Sequence, residues 1–262
     1  MTHREAPTAA VLLIGDELLS GKIRDENGHA LACVMRRRGI RLLEICTVGD
    51  TAEEIGAAFL RLVARAQLVF TSGGVGPTHD DRTLASIAAA TGRPLVRNAA
   101  MEAQLRAHYG ERITDAALRM ADLPAGTLLR APTGWPVMRL DVEGARAYIL
   151  PGVPSLLRAK LEHLEALAGE LPSGDGWYLA VVYTDLDESK LAAHLDAVVA
   201  EFPEIDVGSY PRWSRGEDGR IHLHVKVTLE APTPLRAQVD AARERLRAAL
   251  APQHLLDHEP PV

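Results

Sequence analysis

The sequence predicts an α/β protein with a doubly wound, mostly parallel sheet, followed by a second, smaller α+β domain of βαββα order. Three observations predict this architecture. Apolar runs alternate with helix-like segments from the N-terminus onwards, as strands and crossover helices do in a parallel sheet. The first apolar run lacks polar alternation, which is typical of a parallel strand covered on both faces. The alternating order then changes after a turn-rich segment at residues 172–176.

The first domain is expected to cover residues 1–172. Its strands are short apolar runs, and its helices carry apolar residues at helical spacing. One helix start is marked by a capping box at Thr51 and Glu54. The expected strands are 9–14, 40–48, 68–71, 137–140 and 145–150, and the expected helices are 27–38, 51–66, 82–90, 99–120 in two pieces, and 155–171.

The second domain is expected to cover residues 177–252. Alternation along residues 221–229 is typical of a strand with one buried face. The proline-rich stretch at 253–262 is expected to be a flexible tail. The expected elements are strands at 178–183, 205–210 and 221–229 and helices at 188–200 and 234–250.

Composition limits the classes of function. The 262 residues carry 47% hydrophobic and 24% charged residues, as ordinary globular proteins do. A net charge of −6 argues against general binding to nucleic acid or to membrane surfaces. No apolar stretch is long enough to span a membrane, and no secretion signal is recognisable at the N-terminus. Cys33 and Cys46 are too few for a disulfide framework or a zinc site, so we expect a cytoplasmic protein with reduced cysteines.

The strongest functional signal is a glycine-rich loop that follows the strand at 68–71. Glycines at the end of a parallel strand let backbone amides approach an anion, and the next helix adds its positive end. Asp80 and Asp81 then have two interpretations, which spacing alone leaves even: they stabilise the helix N-terminus, or they hold a divalent ion against phosphates. The candidate phosphate-binding residues of this loop are Ser72, Gly73, Gly74, Gly76, Pro77, Thr78 and Thr83.

A second loop, Gly15-Asp16-Glu17, follows the first strand in the same way. Acidic residues at the end of that strand would face the same crevice as Asp80, although a solvated turn is the simpler interpretation of this loop alone. Asp25 and Asn27 precede the next helix, where one of them caps it or both meet ligand hydroxyls.

At these loops the chain resembles the molybdopterin-binding-like (MoaB/Mog) family, particularly the N-terminal region of CinA-type proteins and the equivalent domain of FAD synthases. Four ordered motifs carry the resemblance, which covers nearly the whole chain. They are residues 15–21 (GDELLSG), Asp25-Glu26-Asn27, the GGVGPTHDD loop at 73–81, and Pro151-Gly152-Val153-Pro154.

The resemblance implies a phosphorylated ligand held with a divalent metal ion, Mg, Co or Mn. The implied activity is a metal-dependent nucleotide pyrophosphatase that hydrolyses ADP-ribose or FAD-like dinucleotides. The alternatives are a molybdopterin-binding or adenylyl-transfer protein and a non-catalytic nucleotide-binding module. Asp16, Asp80 and Asp81 would be the catalytic and metal-binding residues, and Pro151, Gly152 and Pro154 would contact the ligand. The expected partner is a nucleotide or pterin phosphate, and the expected assembly is a homodimer or homotrimer.

Overall fold

The computed structural model of the chain describes residues 6–130, 135–215, 219 and 221–256. The chain divides into two compact units, Met1–Gly174 and Asp175–Val262. The division falls within the turn-rich segment at residues 172–176. Buried apolar residues form two clusters in the first unit and one in the second, so each unit has its own core.

The first unit contains the alternating strands and helices. Its strands are β1 (Thr8–Ile14), β2 (Arg41–Val48), β3 (Leu68–Ser72), β4 (Leu95–Arg97), β5 (Asp122–Pro124), β6 (Leu128–Arg130), β7 (Val137–Val142) and β8 (Ala145–Leu150). Its helices are α1 (Asp16–Leu19), α2 (Asn27–Arg37), α3 (Ala52–Val63), α4 (Thr83–Ala90), α5 (Ala99–Tyr109), α6 (Asp115–Arg119) and α7 (Pro154–Ala166).

Six of these strands form one sheet in the order β2-β1-β3-β8-β7-β6. The neighbours β2, β1, β3 and β8 pair in parallel, whereas β7 and β6 add an antiparallel edge. The prediction of a doubly wound, mostly parallel sheet is confirmed.

Helices cover both faces of this sheet, as the apolar run of β1 predicts. Leu12 belongs to the same buried cluster as Phe59 of α3. Its neighbour Leu13 belongs to the opposite cluster, with Leu31 of α2 and Leu157 of α7. Because successive side chains of a strand point to opposite faces, both faces of β1 are buried, and its sequence shows no polar alternation.

Three short strands were not predicted. β4 and β5 pair only with each other, and β6 pairs with β7 at the sheet edge. Each has three residues, which is too short for a periodic pattern to register. The predicted turn between β7 and β8 is a tight two-residue hairpin, in which Glu143 and Gly144 have φ values of 49° and 89°.

A buried carboxylate joins the antiparallel edge to the segment after α7. Glu170 is only 1% exposed and accepts hydrogen bonds from Arg130 Nε at 2.5 Å, Arg139 Nη1 at 3.2 Å and the Tyr148 hydroxyl at 3.0 Å. Burial alone would raise the pKa of Glu170, but hydrogen bonds from Tyr148 and Arg130 and the nearby charge of Arg139 hold it below its usual value. α7 ends at Ala166, before the expected end near residue 171, and the chain then turns back to make these bonds.

The second unit has the predicted βαββα order. Its antiparallel sheet runs in the order β10 (Asp206–Arg215), β11 (Ile221–Pro232), β9 (Trp177–Thr184) and β12 (Leu255–Leu256), and the core consists of one sheet face against two helices. Within the expected tail at residues 253–262, β12 pairs with Thr184 and Tyr183 of β9. Residues 257–262 lie outside the described part of the chain. The elements are β9 (Trp177–Thr184), α8 (Glu188–Glu201), β10 (Asp206–Arg215), β11 (Ile221–Pro232), α9 (Arg236–Ala249) and β12 (Leu255–Leu256).

None of the helices in the described part of the chain is both long and apolar enough to cross a lipid bilayer.

Candidate functional site: a cavity at the carboxyl ends of the parallel strands

The candidate site is a cavity of about 570 Å³ at the carboxyl ends of β1, β3 and β8. Its volume is within the range of small-molecule sites. The loops that follow these strands line it, as expected for the crevice at the edge of an open parallel sheet. Of the predicted site residues, Glu17, Asp25, Asn27, Ser72, Gly73, Gly74, Gly76, Pro77, Asp80, Asp81, Pro151, Gly152 and Pro154 line the cavity.

Four predicted site residues do not line the cavity: Gly15, Asp16, Thr78 and Thr83. The Asp16 side chain instead lies against the loop after β2, where its Oδ1 accepts from the Asp50 amide at 3.4 Å and the Asp16 amide donates to Asp50 Oδ2 at 2.9 Å. Asp50 does line the cavity and takes the place that the sequence assigned to Asp16. Asp50 was not among the predicted site residues, although it stands two residues after a parallel strand, which is the signal that could have identified it.

Hydrogen bonds hold three of the motifs together. The Asn27 side-chain amide donates to Ser72 Oγ at 2.9 Å and to the Gly152 carbonyl at 2.7 Å. The Ser72 hydroxyl in turn donates to the Pro151 carbonyl at 3.2 Å. The start of α2, the end of β3 and the loop after β8 therefore form one connected edge.

Asn27 also leaves one buried atom without a partner. Both of its amide hydrogens are used, and the Gly152 carbonyl can only accept, so the orientation of the amide is fixed. Its Oδ1 atom is buried and has no hydrogen-bond partner among the described residues. A buried acceptor of this kind needs a donor, and a ligand hydroxyl would supply one.

The glycine-rich loop depends on the absence of side chains. Gly73 and Gly74 have φ values of 110° and 65°. A Cβ atom on Gly73 would lie 2.2 Å from the Ile14 carbonyl oxygen, and one on Gly74 would lie 2.3 Å from Thr83 Oγ1. The buried Thr83 hydroxyl donates to the Gly73 carbonyl at 2.8 Å. Thr83 therefore supports the loop, and it lies outside the cavity lining.

Asp81 shapes the same loop. Its Oδ1 accepts from the Gly76 amide at 2.7 Å, and its Oδ2 accepts from the Thr78 amide at 2.8 Å and from the Thr78 hydroxyl. The structure thus shows a local supporting role, which the interpretation of Asp81 as a metal ligand did not include. Thr78 also helps to hold the pKa of the neighbouring Asp80 carboxyl below its usual value, so Asp80 is ionised at neutral pH.

Two of the four main-chain amides from Gly73 to Gly76 are already bonded within the protein. The Gly73 amide donates to the Leu150 carbonyl at 3.2 Å, and the Gly76 amide donates to Asp81. Within the described residues, the amides of Gly74 and Val75 have no protein acceptor and remain available to an anion.

The cavity is lined by more acidic than basic side chains. Some of the acids are occupied: Asp25 accepts from the Asn27 and Gly28 amides, and Glu26 pairs with Arg158 at 2.5 Å. Arg24 is the single basic residue in the lining, and none of the described carboxylates pairs with it. The lining carboxylates are Glu17, Asp25, Glu26, Asp50, Asp80 and Asp81.

Carboxylate oxygens suit a hard divalent ion, but the protein alone does not form a complete metal cage. Across the described residues, no three His, Cys, Asp or Glu side chains are grouped closely enough to hold a metal ion. A magnesium ion characteristically uses one or two carboxylates together with substrate phosphates. The residues therefore fit an ion that arrives with its phosphate ligand.

Comparisons with known proteins agree with this fold. Residues 10–168 match the family model described as "Probable molybdopterin binding domain", and residues 177–259 match that of "FAD synthase, middle domain". A crystal structure of the protein CinA with unknown function from Thermoplasma acidophilum is 31% identical and covers 62% of this chain and 98% of that chain, with a TM-score of 0.58.

Several relatives match this chain across both of its units. A protein of Aeropyrum pernix is 32% identical and covers 93% of each chain. A "CinA-like protein" of Syntrophobacter fumaroxidans is 30% identical over 95% of this chain, which spans 58% of that relative. A "Probable FAD synthase" of Caenorhabditis briggsae is 30% identical over 80% of this chain, which spans 45% of that relative. The second unit is thus similar to the middle domain of FAD synthases, and the chain belongs to the molybdopterin-binding-domain (MoaB/Mog) family, in its CinA type.

Proposed function

We propose that the protein is a metal-dependent nucleotide pyrophosphatase that hydrolyses ADP-ribose, FAD or a similar dinucleotide. One observation carries the proposal: a single cavity presents the free amides of Gly74 and Val75 beside the carboxylates of Asp50 and Asp80. Main-chain amides bind phosphate oxygens, whereas carboxylates repel them. The two kinds of group serve one ligand only if a cation accompanies the phosphates.

The metal would be held by Asp80 and Asp50 together with oxygens of the diphosphate. When bound, it would offset the negative charge of the diphosphate and make its phosphorus atoms more electrophilic. The amides of Gly74 and Val75 would donate to the non-bridging oxygens, where negative charge grows as the bond between phosphate and phosphate breaks. Arg24, the unpaired cation of the lining, would contact a phosphate oxygen directly.

Hydrolysis balances by adding one water molecule across the P–O–P bridge. The water oxygen forms a new bond to one phosphorus atom, the bridging oxygen leaves with the other phosphate, and a water proton passes to solvent or to a nearby carboxylate. The products are AMP and ribose 5-phosphate from ADP-ribose, or AMP and FMN from FAD. Asp50 and Asp80 would orient the water.

The test is to incubate the purified protein with ADP-ribose and with FAD, each with Mg²⁺, Co²⁺ or Mn²⁺, and to measure AMP. We expect AMP to form only with metal, and we expect Asp80→Asn to lower its rate by about 10²-fold or more. Asp196→Asn, which alters an exposed carboxylate of α8 in the second unit, is the matched control and should leave the rate unchanged. Folded protein that releases no AMP with any of the three metals contradicts the proposal.

The family match supports a second candidate, a molybdopterin-binding or adenylyl-transfer protein. Pterin fluorescence in protein purified from cells would favour this candidate over the pyrophosphatase. A non-catalytic nucleotide-binding module is the third outcome. In that case Asp80→Asn would weaken nucleotide binding while the wild-type protein releases no AMP.

The proposed enzyme is expected to form a homodimer or homotrimer, because most soluble oligomers have closed symmetry. Light scattering of the purified protein measures its mass. A mass equal to that of one 28.3 kDa chain would contradict the expectation.

A further inference from the structure

Three aliphatic side chains with large exposed fractions lie around the same cavity. Ile23, Val153 and Leu156 are 55%, 54% and 53% exposed, and all three line the cavity. Exposed aliphatic side chains are ordinary when scattered singly, but a group of them at one site marks a surface that binds something.

These side chains come from two segments that lie against each other. Ile23 follows α1, and its amide donates to the Glu17 carbonyl at 3.1 Å. Val153 is the N-cap of α7, and Leu156 lies in the first turn of that helix. The ion pair between Glu26 and Arg158 joins the loop after Ile23 to the same end of α7. The three aliphatic groups therefore belong to one rim.

We infer that this rim binds the planar ring of the ligand, whether purine or flavin, by apolar contact and without recognising the edge of the ring. This inference rests on the proposed function, since it names the ring-bearing half of the molecule whose phosphates meet Gly74 and Val75. Planar heterocycles bury apolar surface on both faces, and aliphatic side chains are suitable partners for them.

The lack of edge recognition follows from the polar neighbours of the rim. Ile23, Val153 and Leu156 carry no side-chain donors or acceptors. The nearby Asp25 carboxylate is used by two backbone amides, and the Glu26 carboxylate is used by Arg158. A site without hydrogen bonds to the ring discriminates weakly between rings of similar size.

The test measures dissociation constants by calorimetry, with Mg²⁺ present, for four monophosphates: AMP, GMP, FMN and ribose 5-phosphate. The first three carry a ring, and ribose 5-phosphate does not. We expect the three ring-bearing compounds to bind ~10-fold or more tightly than ribose 5-phosphate. We expect the dissociation constants of AMP and GMP, whose rings are similar in size, to agree within about threefold, because apolar contact does not recognise the ring edge.

Variants test whether the rim causes the tighter binding of the ring-bearing compounds. The double variant Ile23→Ser, Leu156→Ser should weaken the ring-bearing compounds by roughly tenfold and leave ribose 5-phosphate within about twofold of wild type. Leu60→Ser, at an exposed leucine of α3 outside the cavity lining, is the matched control and should change none of the four constants.

The outcomes separate this inference from the proposed function. Equal affinity for AMP and ribose 5-phosphate, or equal weakening of both in the double variant, overturns the inference even if dinucleotides are hydrolysed. A changed oligomeric state of the double variant with unchanged nucleotide affinity also overturns it, because the rim would then be a contact between copies. Ring-dependent binding without any hydrolysis supports the rim and rejects the pyrophosphatase. Failure of all four compounds to bind overturns the inference, whereas AMP release from the dinucleotides decides the proposed function separately.

Discussion

The two adjacent aspartates of the glycine-rich loop should behave differently when they are replaced. Both oxygens of Asp81 accept hydrogen bonds from the loop, from the Gly76 and Thr78 amides and the Thr78 hydroxyl. In Asp81→Asn, one of those oxygens becomes an NH₂ group, which cannot accept. Either the Gly76 amide or the Thr78 amide then faces a donor.

The size of the effect follows from these bonds. A hydrogen bond to a charged acceptor is worth about 1.5–3 kcal/mol, and partial exposure of the loop reduces that value. We expect Asp81→Asn to lower the free energy of unfolding of the first unit by about 1–2 kcal/mol. With a urea m-value of about 2 kcal/mol/M, the unfolding midpoint should fall by about 0.5–1 M. Asp80→Asn removes an exposed carboxylate and should change the unfolding midpoint less than Asp81→Asn does.

Two assays check this difference. Urea unfolding measures the midpoints, and hydrogen exchange measures protection of the amides of Gly76 and Thr78, which should fall in Asp81→Asn and not in Asp80→Asn. Nucleotide hydrolysis should fall in both variants, because one distorts the loop and the other removes a ligand-facing carboxylate. If Asp81→Asn kept wild-type stability and protection yet lost nucleotide binding, Asp81 would contact the ligand directly and the reasoning would be refuted.

Three further predictions concern the support of the site and of the sheet edge. Thr83→Val should lower the free energy of unfolding by about 1–2 kcal/mol, because the buried hydroxyl that donates to the Gly73 carbonyl is lost. Thr91→Val, at the other end of the same helix, should lower it by less. Urea midpoints that agree for the two variants would contradict this prediction. Gly74→Ala should destabilise the folded protein by about 2–4 kcal/mol, since the φ of Gly74 is 65° and the new Cβ would lie 2.3 Å from Thr83 Oγ1. An unchanged thermal unfolding midpoint would show that the loop relaxes freely. The pKa of Glu170 is lowered in the folded protein, so its contribution to stability is present above about pH 4.5 and is lost as pH falls through the folded pKa. The difference in unfolding free energy between wild type and Glu170→Gln, measured in urea at neutral pH and at about pH 3, should therefore shrink on acidification. A constant difference would argue against the ion pairs.

The fold was largely predictable because its signals are local. The apolar run of β1, the capping box at Thr51 and the glycines after β3 each fix one element or one loop without reference to distant residues. The parallel order of the strands then brings their carboxyl ends to one edge, so the meeting of the loops at Gly15, Ser72 and Pro151 could be expected. The three-residue strands could not, because partners distant in sequence define them.

The roles of individual carboxylates were less predictable. Asp16 and Asp50 both follow parallel strands, but only the direction of each side chain decides which one lines the cavity. That direction depends on the hydrogen bonds between their two loops, which spacing does not reveal. The role of Asp81 was equally hard to predict. Its place beside Asp80 suggested a shared role, whereas the turn at Thr78 directs its carboxylate oxygens back into the loop.

The most direct test of the central claim observes the two unbonded amides themselves. We would titrate ¹⁵N-labelled protein with Mg²⁺ and the non-hydrolysable methylene analogue of ADP-ribose and follow the backbone amide resonances. The largest shifts should occur at Gly74 and Val75, while Gly76 changes less because its amide is already bonded to Asp81. If the analogue binds and the Gly74 and Val75 resonances do not move, the diphosphate lies elsewhere and the assignment of this cavity is wrong.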